Sequence, residues 1–302
     1  MIKYKRNINR LSEIFMIYSM FTGFNAEIDR GGIRQAIKKA KEYGFEGVEF
    51  FYGARRHEEH PSLDEAREYK RALDDSGMKV TCVSVGATLI HPDKPDELNE
   101  ADINGLLHLL EVTSILGARL FHHTLFMGFG YEIPEDFTLD TKRELFLRGA
   151  RIIADRAREL GITILYEPQG PFFNGYREFT RLFYDMKKTH ENVGICCDPA
   201  NSYWVDEPPY AIFEELAPHV KHVHLKDYSI SDAPSEGASC SFTGKSYITQ
   251  VPFDRGVTDL SRIANLLKTH SYSGAASFED HVNVQDPEKT KALISYAKSL
   301  LE

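Results

Sequence analysis

Four ionisable residues each close a short apolar run in the second half of the chain. Glu167 ends ITILYEP (162–168) and Asp198 ends VGICCDP (193–199). His224 lies in VKHVHLKD (220–227) and Glu279 in GAASFEDH (274–281). Singly, each has an ordinary explanation: a solvated carboxylate, an Asp that starts a turn before Pro, an imidazole satisfied in the core. Jointly they do not. If the four runs deliver them to one mouth, their burial costs several kcal/mol unless they share a compensating cation. Three carboxylates and one imidazole make an oxygen-rich cage for one divalent ion. Mn²⁺ is the first expectation, with Mg²⁺, Co²⁺ or Zn²⁺ as alternatives.

Such a cage has a definite chemistry. Moving or inverting a centre beside a carbonyl requires removal of a carbon-bound proton. A divalent cation across the carbonyl oxygen and the adjacent hydroxyl stabilises the enediolate that develops. One carboxylate takes the proton and a second returns it.

The elements that must position these groups repeat along the whole chain. Apolar, β-branched runs at 13–20, 47–51, 79–85, 118–124, 162–168, 193–199, 220–227 and 274–281 read as buried parallel strands. Amphipathic stretches at 31–43, 62–76, 97–116, 141–160, 176–187, 208–217, 258–270 and 286–301 read as helices. The helix at 62–76 opens with SLDE, a capping-box pattern. Gly44, Gly77, Gly117 and Gly161 follow helices directly and act as stops before short turns. Strict βα alternation predicts a single (β/α)8 TIM barrel with parallel strands over 1–302, its active site at the C-terminal strand ends. No GxGxxG follows the first strand, which weakens a dinucleotide-binding reading. Residues 228–257, after strand seven, read as one long irregular loop, and a loop of that length is usually functional.

At this point a resemblance becomes specific. YEP at strand five, CDPAN at strand six, HVHLKD at strand seven and SFED at strand eight resemble the xylose isomerase-like superfamily. That superfamily includes ketose 3-epimerases, inosose-processing enzymes, hydroxypyruvate isomerase and the zinc-dependent apurinic endonucleases. The resemblance covers nearly the whole chain and is strongest over 162–281. It implies a (β/α)8 barrel with Glu167, Asp198, His224 and Glu279 as metal ligands. It further implies that Glu167 and Glu279 are the catalytic acid/base pair on opposite faces of the substrate. The expected activity is a sugar, sugar-phosphate or cyclitol isomerase or epimerase. The alternative is a dehydratase of an inosose or a dehydroshikimate-like keto compound, and a ligand-binding barrel without activity is the non-catalytic reading. Ketose 3-epimerases usually place a His three residues after the strand-six Asp, where this chain has Asn201. The match is therefore to the superfamily rather than to one member.

Further residues are candidates for holding substrate: Asn201, Lys226, His123, Glu49 and Arg255. Lys226 alternates with His224, so both can face one side. His122 and His123 close strand four and point to opposite faces; His123 is the expected substrate contact. Glu49 ends GVEFF at strand two, and Arg255 lies in PFDRGV before helix seven.

Composition sets the outer limits. Lys and Arg total 36 against 45 Asp and Glu, a net charge of −9. That balance argues against a nucleic-acid partner. The four cysteines form no CxxC pair and suit a reducing compartment. The basic start MIKYKRNINR precedes an apolar run that Glu13 interrupts, and no run reaches the roughly 20 residues of a membrane span. The expectation is a cytoplasmic protein acting on a small polyhydroxy carbonyl compound. Dimers and tetramers are common in the resembled family, so a homo-oligomer is compatible with it.

Overall fold

The computed structural model describes residues 16–127, 137–283 and 285–302. The basic N-terminal stretch and residues 13–15 of the first expected strand lie outside the described residues. Eight parallel strands close a barrel: β1 (Ile17–Met20), β2 (Gly47–Gly53), β3 (Lys79–Gly86), β4 (Leu120–His123), β5 (Thr163–Tyr166), β6 (Val193–Cys197), β7 (Val220–Leu225) and β8 (Ala275–Phe278). Each pairs with its sequence neighbours, and β8 closes on β1 with Ile17 opposite Ala275.

The helices between them are α1 (Phe24–Glu42), α2 (Leu63–Ser76), α3 (Glu100–Leu116), α4 (Leu139–Glu159), α5 (Tyr176–Lys187), α6 (Tyr210–Leu216), α7 (Leu260–Thr269) and α8 (Pro287–Leu301). The capping box at the start of α2 forms as read: the Ser62 hydroxyl accepts from the Glu65 backbone, and the Ser62 N–H donates to the Glu65 carboxylate. α1 starts at Phe24, earlier than the pattern suggested. Gly31 and Gly32 look like a helix start, but the helix runs through a break at Gly32 (φ 80°, ψ 170°). Phe24 anchors the extra turns by packing edge-on against Phe50 of β2.

Two pairings were not visible in the sequence. Ile90–His91 and Lys94–Leu98 form a small antiparallel hairpin before α3. The segment after β7 is not an irregular loop. Asp227–Ser231, Ser239–Cys240 and Tyr247–Val251 form a three-stranded antiparallel sheet. Tyr228 and Ile248 of this sheet pack with Ala200, Tyr203 and Trp204 beside the barrel.

The main core lies between barrel and helices. A smaller apolar plug of Cys82, Leu165 and Cys196 fills the barrel interior. Side chains alternate along a strand. Two residues beyond Leu165, Cys196 and Ser277 come Glu167, Asp198 and Glu279, so the strand period itself delivers the three carboxylates above the plug. Among the described residues, no helix is long and apolar enough to cross a membrane.

Candidate active site

Glu167, Asp198, His224 and Glu279 converge at the C-terminal ends of β5 to β8. One potential ligand atom from each lies within 4.8 Å of the others. His224 Nδ1 is 2.8 Å from Glu167 Oε1 and 3.4 Å from Glu279 Oε2. The Glu279 backbone N–H donates to Leu225 O at 3.1 Å, which ties the end of β8 to β7. Gln250, from the antiparallel sheet, donates to the Glu279 carbonyl at 2.7 Å. Asp198 is wholly buried, and its Oδ1 accepts the backbone N–H groups of Ala200 (2.8 Å) and Asn201 (3.1 Å). Oδ2 is left facing the cluster.

Lys226 enters the same cluster. Its Nζ lies 2.8 Å from Glu279 Oε1 and 2.9 Å from Asp198 Oδ2, the second an ion pair without hydrogen-bond alignment. Burial works against the ammonium, but Asp198 and Glu279 outweigh it and hold Lys226 firmly charged. Burial likewise opposes ionisation of Glu279; Lys226 and His224 overcome it and bring that carboxyl down to about 2. Asp198 goes the other way. Its burial, with the charges of Glu167 and Glu279 added, exceeds the pull of Lys226 and pushes it up to about 7. With His224 neutral, as a metal ligand must be, three carboxylates of the cluster face the single ammonium of Lys226. Hard oxygen donors with one imidazole and a surplus of negative charge fit a divalent cation.

Beneath His224 is a buried polar layer. Glu49 is fully enclosed: Oε2 accepts from His222 Nε2 at 2.7 Å and Oε1 from His224 Nε2 at 3.0 Å. The Ser84 hydroxyl also donates to Glu49 Oε1 and meets His122 Nδ1 at 3.2 Å. Burial raises the Glu49 carboxyl, but the His224 and His222 charges outweigh that and hold it well below the usual range. Glu49, His222 and His224 are a second group with ligand-type atoms. Ser84 and Ser277 add hydrogen bonds at Glu49 Oε1 and His222 Nε2, and His222 Nδ1 is left buried without a protein partner.

Several expected substrate contacts lie elsewhere. Glu49 is a correction: it lies wholly enclosed against His224, with no surface open to a substrate. His123 is another. It faces the helix layer, edge-on to the Tyr166 ring, with Nδ1–H donated to Thr124 O at 3.0 Å. His122 is the inward neighbour, with Nε2 3.7 Å from Glu167 Oε2. Arg255 is 78% exposed and lines an outer cleft with Val282, Asn283 and Lys289, none of them part of the cluster. Asn201 is buried next to Asp198; its carbonyl accepts from Asn174 Nδ2 at 2.8 Å, and its own Nδ2 has no protein acceptor.

Phe21, just past β1, was not singled out from sequence. Its ring stacks on His224 with centroids 5.0 Å apart, and Phe51 meets it edge-on at 5.8 Å. His222 was also missed, although its alternation with His224 and Lys226 was a usable signal.

The profile of the family described as "Xylose isomerase-like TIM barrel" matches residues 37–300. Over 230 residues the chain is 28% identical to an inosose dehydratase of Lacticaseibacillus casei, spanning 73% of this chain and 74% of that protein. In fold it is similar to D-psicose 3-epimerase from Clostridium cellulolyticum H10, solved with D-tagatose. The TM-score is 0.67 at 16% identity, covering 95% of this chain and 100% of the other. A probable 3-DHS dehydratase from Bacillus anthracis gives a TM-score of 0.68 at 18% identity, covering 93% and 99%.

Proposed function

The chain belongs to the Xylose isomerase-like TIM barrel family, and from that premise we propose a divalent-metal-dependent sugar isomerase or epimerase acting on a small polyhydroxy carbonyl compound. The observation that carries this reading is the approach of two carboxylates from different strands to one imidazole. Glu167 Oε1 and Glu279 Oε2 lie 2.8 and 3.4 Å from His224 Nδ1.

Glu167, Asp198, His224 and Glu279 would hold the cation, and Mn²⁺ is the first to test. When bound, it would supply electrophilic polarisation of substrate oxygens and so acidify the neighbouring C–H. The remaining work falls to side chains. One glutamate removes the proton, the C–H electron pair moves toward the carbonyl oxygen, and the other glutamate returns a proton. A ligand carboxylate that also acts as a base must keep one oxygen free. Lys226 holds Glu279 ionised and offers N–H donors toward a substrate oxygen. Phe21 and Phe51 supply an apolar wall beside His224.

A second reading is supported by Lys226 itself and by the inosose dehydratase relative. Elimination needs a proton for the departing β-hydroxyl, and an ammonium 2.8 Å from Glu279 is a suitable donor. The same proton abstraction then ends in loss of water instead of reprotonation.

One experiment separates them. The Mn²⁺-loaded protein is incubated in D₂O with a panel of ketoses, inososes and dehydroshikimate-like acids. A rearranged product of unchanged carbon and oxygen count, with deuterium on carbon, supports the isomerase. Loss of water with a new enone absorbance supports the dehydratase. Neither product from any member overturns both.

A further inference from the structure

We propose that Glu49 is a positioning residue that selects which nitrogen of His224 is offered to a divalent cation. The assignment rests on reading Glu167, Asp198, His224 and Glu279 as the ligands. Glu49 cannot touch substrate, because none of its surface is exposed. What it does touch are donors. Three of them meet its two oxygens: His222 Nε2, His224 Nε2 and the Ser84 hydroxyl.

An ionised carboxylate only accepts hydrogen bonds. Nδ1 faces a carboxylate too, Glu167 Oε1 at 2.8 Å, but a cation held by Glu167 would engage that group. Glu49, 3.0 Å from Nε2, is then the acceptor that keeps the proton of a neutral His224 on Nε2. The lone pair is left on Nδ1, and Nδ1 is the nitrogen beside Glu167 and Glu279. Without this acceptor, Nδ1–H could donate to Glu167 instead, and the lone pair would point down into the barrel. A carboxylate behind an imidazole ligand fixes its tautomer and raises its basicity.

The backbone is shaped for this contact. The β2–β3 register shifts between Val48 and Glu49, and the β6–β7 register shifts between Ile195 and Cys196, where Cys196 pairs with His222. Irregular pairing of this kind re-aims side chains. Here the two shifts lie at Glu49 and at Cys196, the register partner of His222, and His222 Nε2 stands 2.7 Å from Glu49 Oε2.

The test is Mn²⁺ binding, read by EPR of the free ion, on wild type, Glu49→Gln and Asp198→Asn. In Glu49→Gln the new amide presents an N–H₂ to one of the two imidazole N–H groups, a donor facing a donor. We expect Mn²⁺ affinity to fall roughly 10- to 100-fold, with far-UV circular dichroism retained. A second measurement needs no variant at Glu49. In the Zn²⁺-loaded wild type, long-range ¹H–¹⁵N NMR should place the His224 proton on Nε2 and the metal on Nδ1, the resonance being assigned by its loss in His224→Gln. An affinity for Glu49→Gln within twofold of wild type overturns the positioning role alone, as does metal on Nε2. Wild type that binds no Mn²⁺ overturns the ligand reading and this assignment with it. If Glu49→Gln does not fold, the NMR tautomer decides.

Discussion

The Lys226 ammonium lies 2.8 Å from the Glu279 carboxylate, with the Lys226 side chain 4% exposed. This cation stands inside the set of groups expected to hold a metal. Lys226→Met would leave Asp198 and Glu279 facing each other uncompensated. Removing one partner of a buried pair costs about 3–5 kcal/mol. The metal-free variant should therefore melt well below wild type. Mn²⁺ should restore much of the difference, because it supplies the missing charge. Thermal melts with and without Mn²⁺ check this. Equal Mn²⁺-induced gains in the two proteins would show that Lys226 does not share the charge of the cluster. Turnover should fall at least about tenfold even when Mn²⁺ saturates the variant, since the donor toward substrate is gone.

Asp198 offers the cleanest removal of a single ligand. Its Oδ1 accepts two backbone N–H groups, from Ala200 and Asn201. Asn can keep both with its own Oδ1, so Asp198→Asn preserves the turn after β6. Its Nδ2 then stands where Oδ2 stood, a donor where a ligand is needed. At Mn²⁺ concentrations about 100 times the wild-type Kd, binding adds about 2.7 kcal/mol to wild-type stability. The variant should gain nothing measurable. Urea unfolding with and without Mn²⁺ gives the answer, and an equal gain would remove Asp198 from the ligand set. Chelation of the wild type should abolish turnover, and Mn²⁺ should restore it.

Much of the barrel was legible because its signals are local. The alternation of apolar runs and amphipathic stretches set the element order, and the period of a strand brought Glu167, Asp198 and Glu279 to one end. Parity was not legible at β4. The sequence HH shows that one imidazole points inward, but only the register with β3 and β5 selects His122 over His123. Glu49 was misplaced for a related reason. A carboxylate in GVEFF reads as a residue at the mouth, whereas its partners His222 and His224 lie more than 170 positions away in sequence. The sheet after β7 was hidden by its polarity. DYSIS alternates but carries only two apolar side chains, and SC, with both residues exposed, is too short to show a pattern.

Gly170 links the end of β5 to the rest of the mouth, three residues after Glu167. Its φ is +71°, and a Cβ there would overlap the Phe126 carbonyl oxygen, a backbone atom that cannot rotate away. Gly170→Ala therefore carries both the left-handed backbone penalty and a clash. We expect a loss of about 1–3 kcal/mol in stability and weaker Mn²⁺ binding through displacement of Glu167. Urea unfolding and Mn²⁺ titration check the two effects. Gly77, also at positive φ, has open space around its missing Cβ. Gly77→Ala should cost stability without touching the metal affinity, which separates backbone strain from damage to the site.

His123 gives the acid limb of stability a specific source. It is buried against Tyr166, and that burial brings its imidazole down from 6.5 to about 4; the hydrogen bond to Thr124 O opposes the shift but does not cancel it. The folded state therefore binds fewer protons than the unfolded chain between those two values. Stability from the neutral ring is complete above pH 6.5 and is lost as pH falls through 4. The size of the effect is on the order of 3 kcal/mol. His123→Phe keeps the packing, loses the bond to Thr124 and removes the titration. It should be less stable than wild type at pH 7 and should close or reverse that gap by pH 4. Urea unfolding of both proteins across pH 4–7.5 measures the difference directly. Parallel curves would mean that His123 takes up its proton without leaving the fold, and that the acid limb originates in other groups.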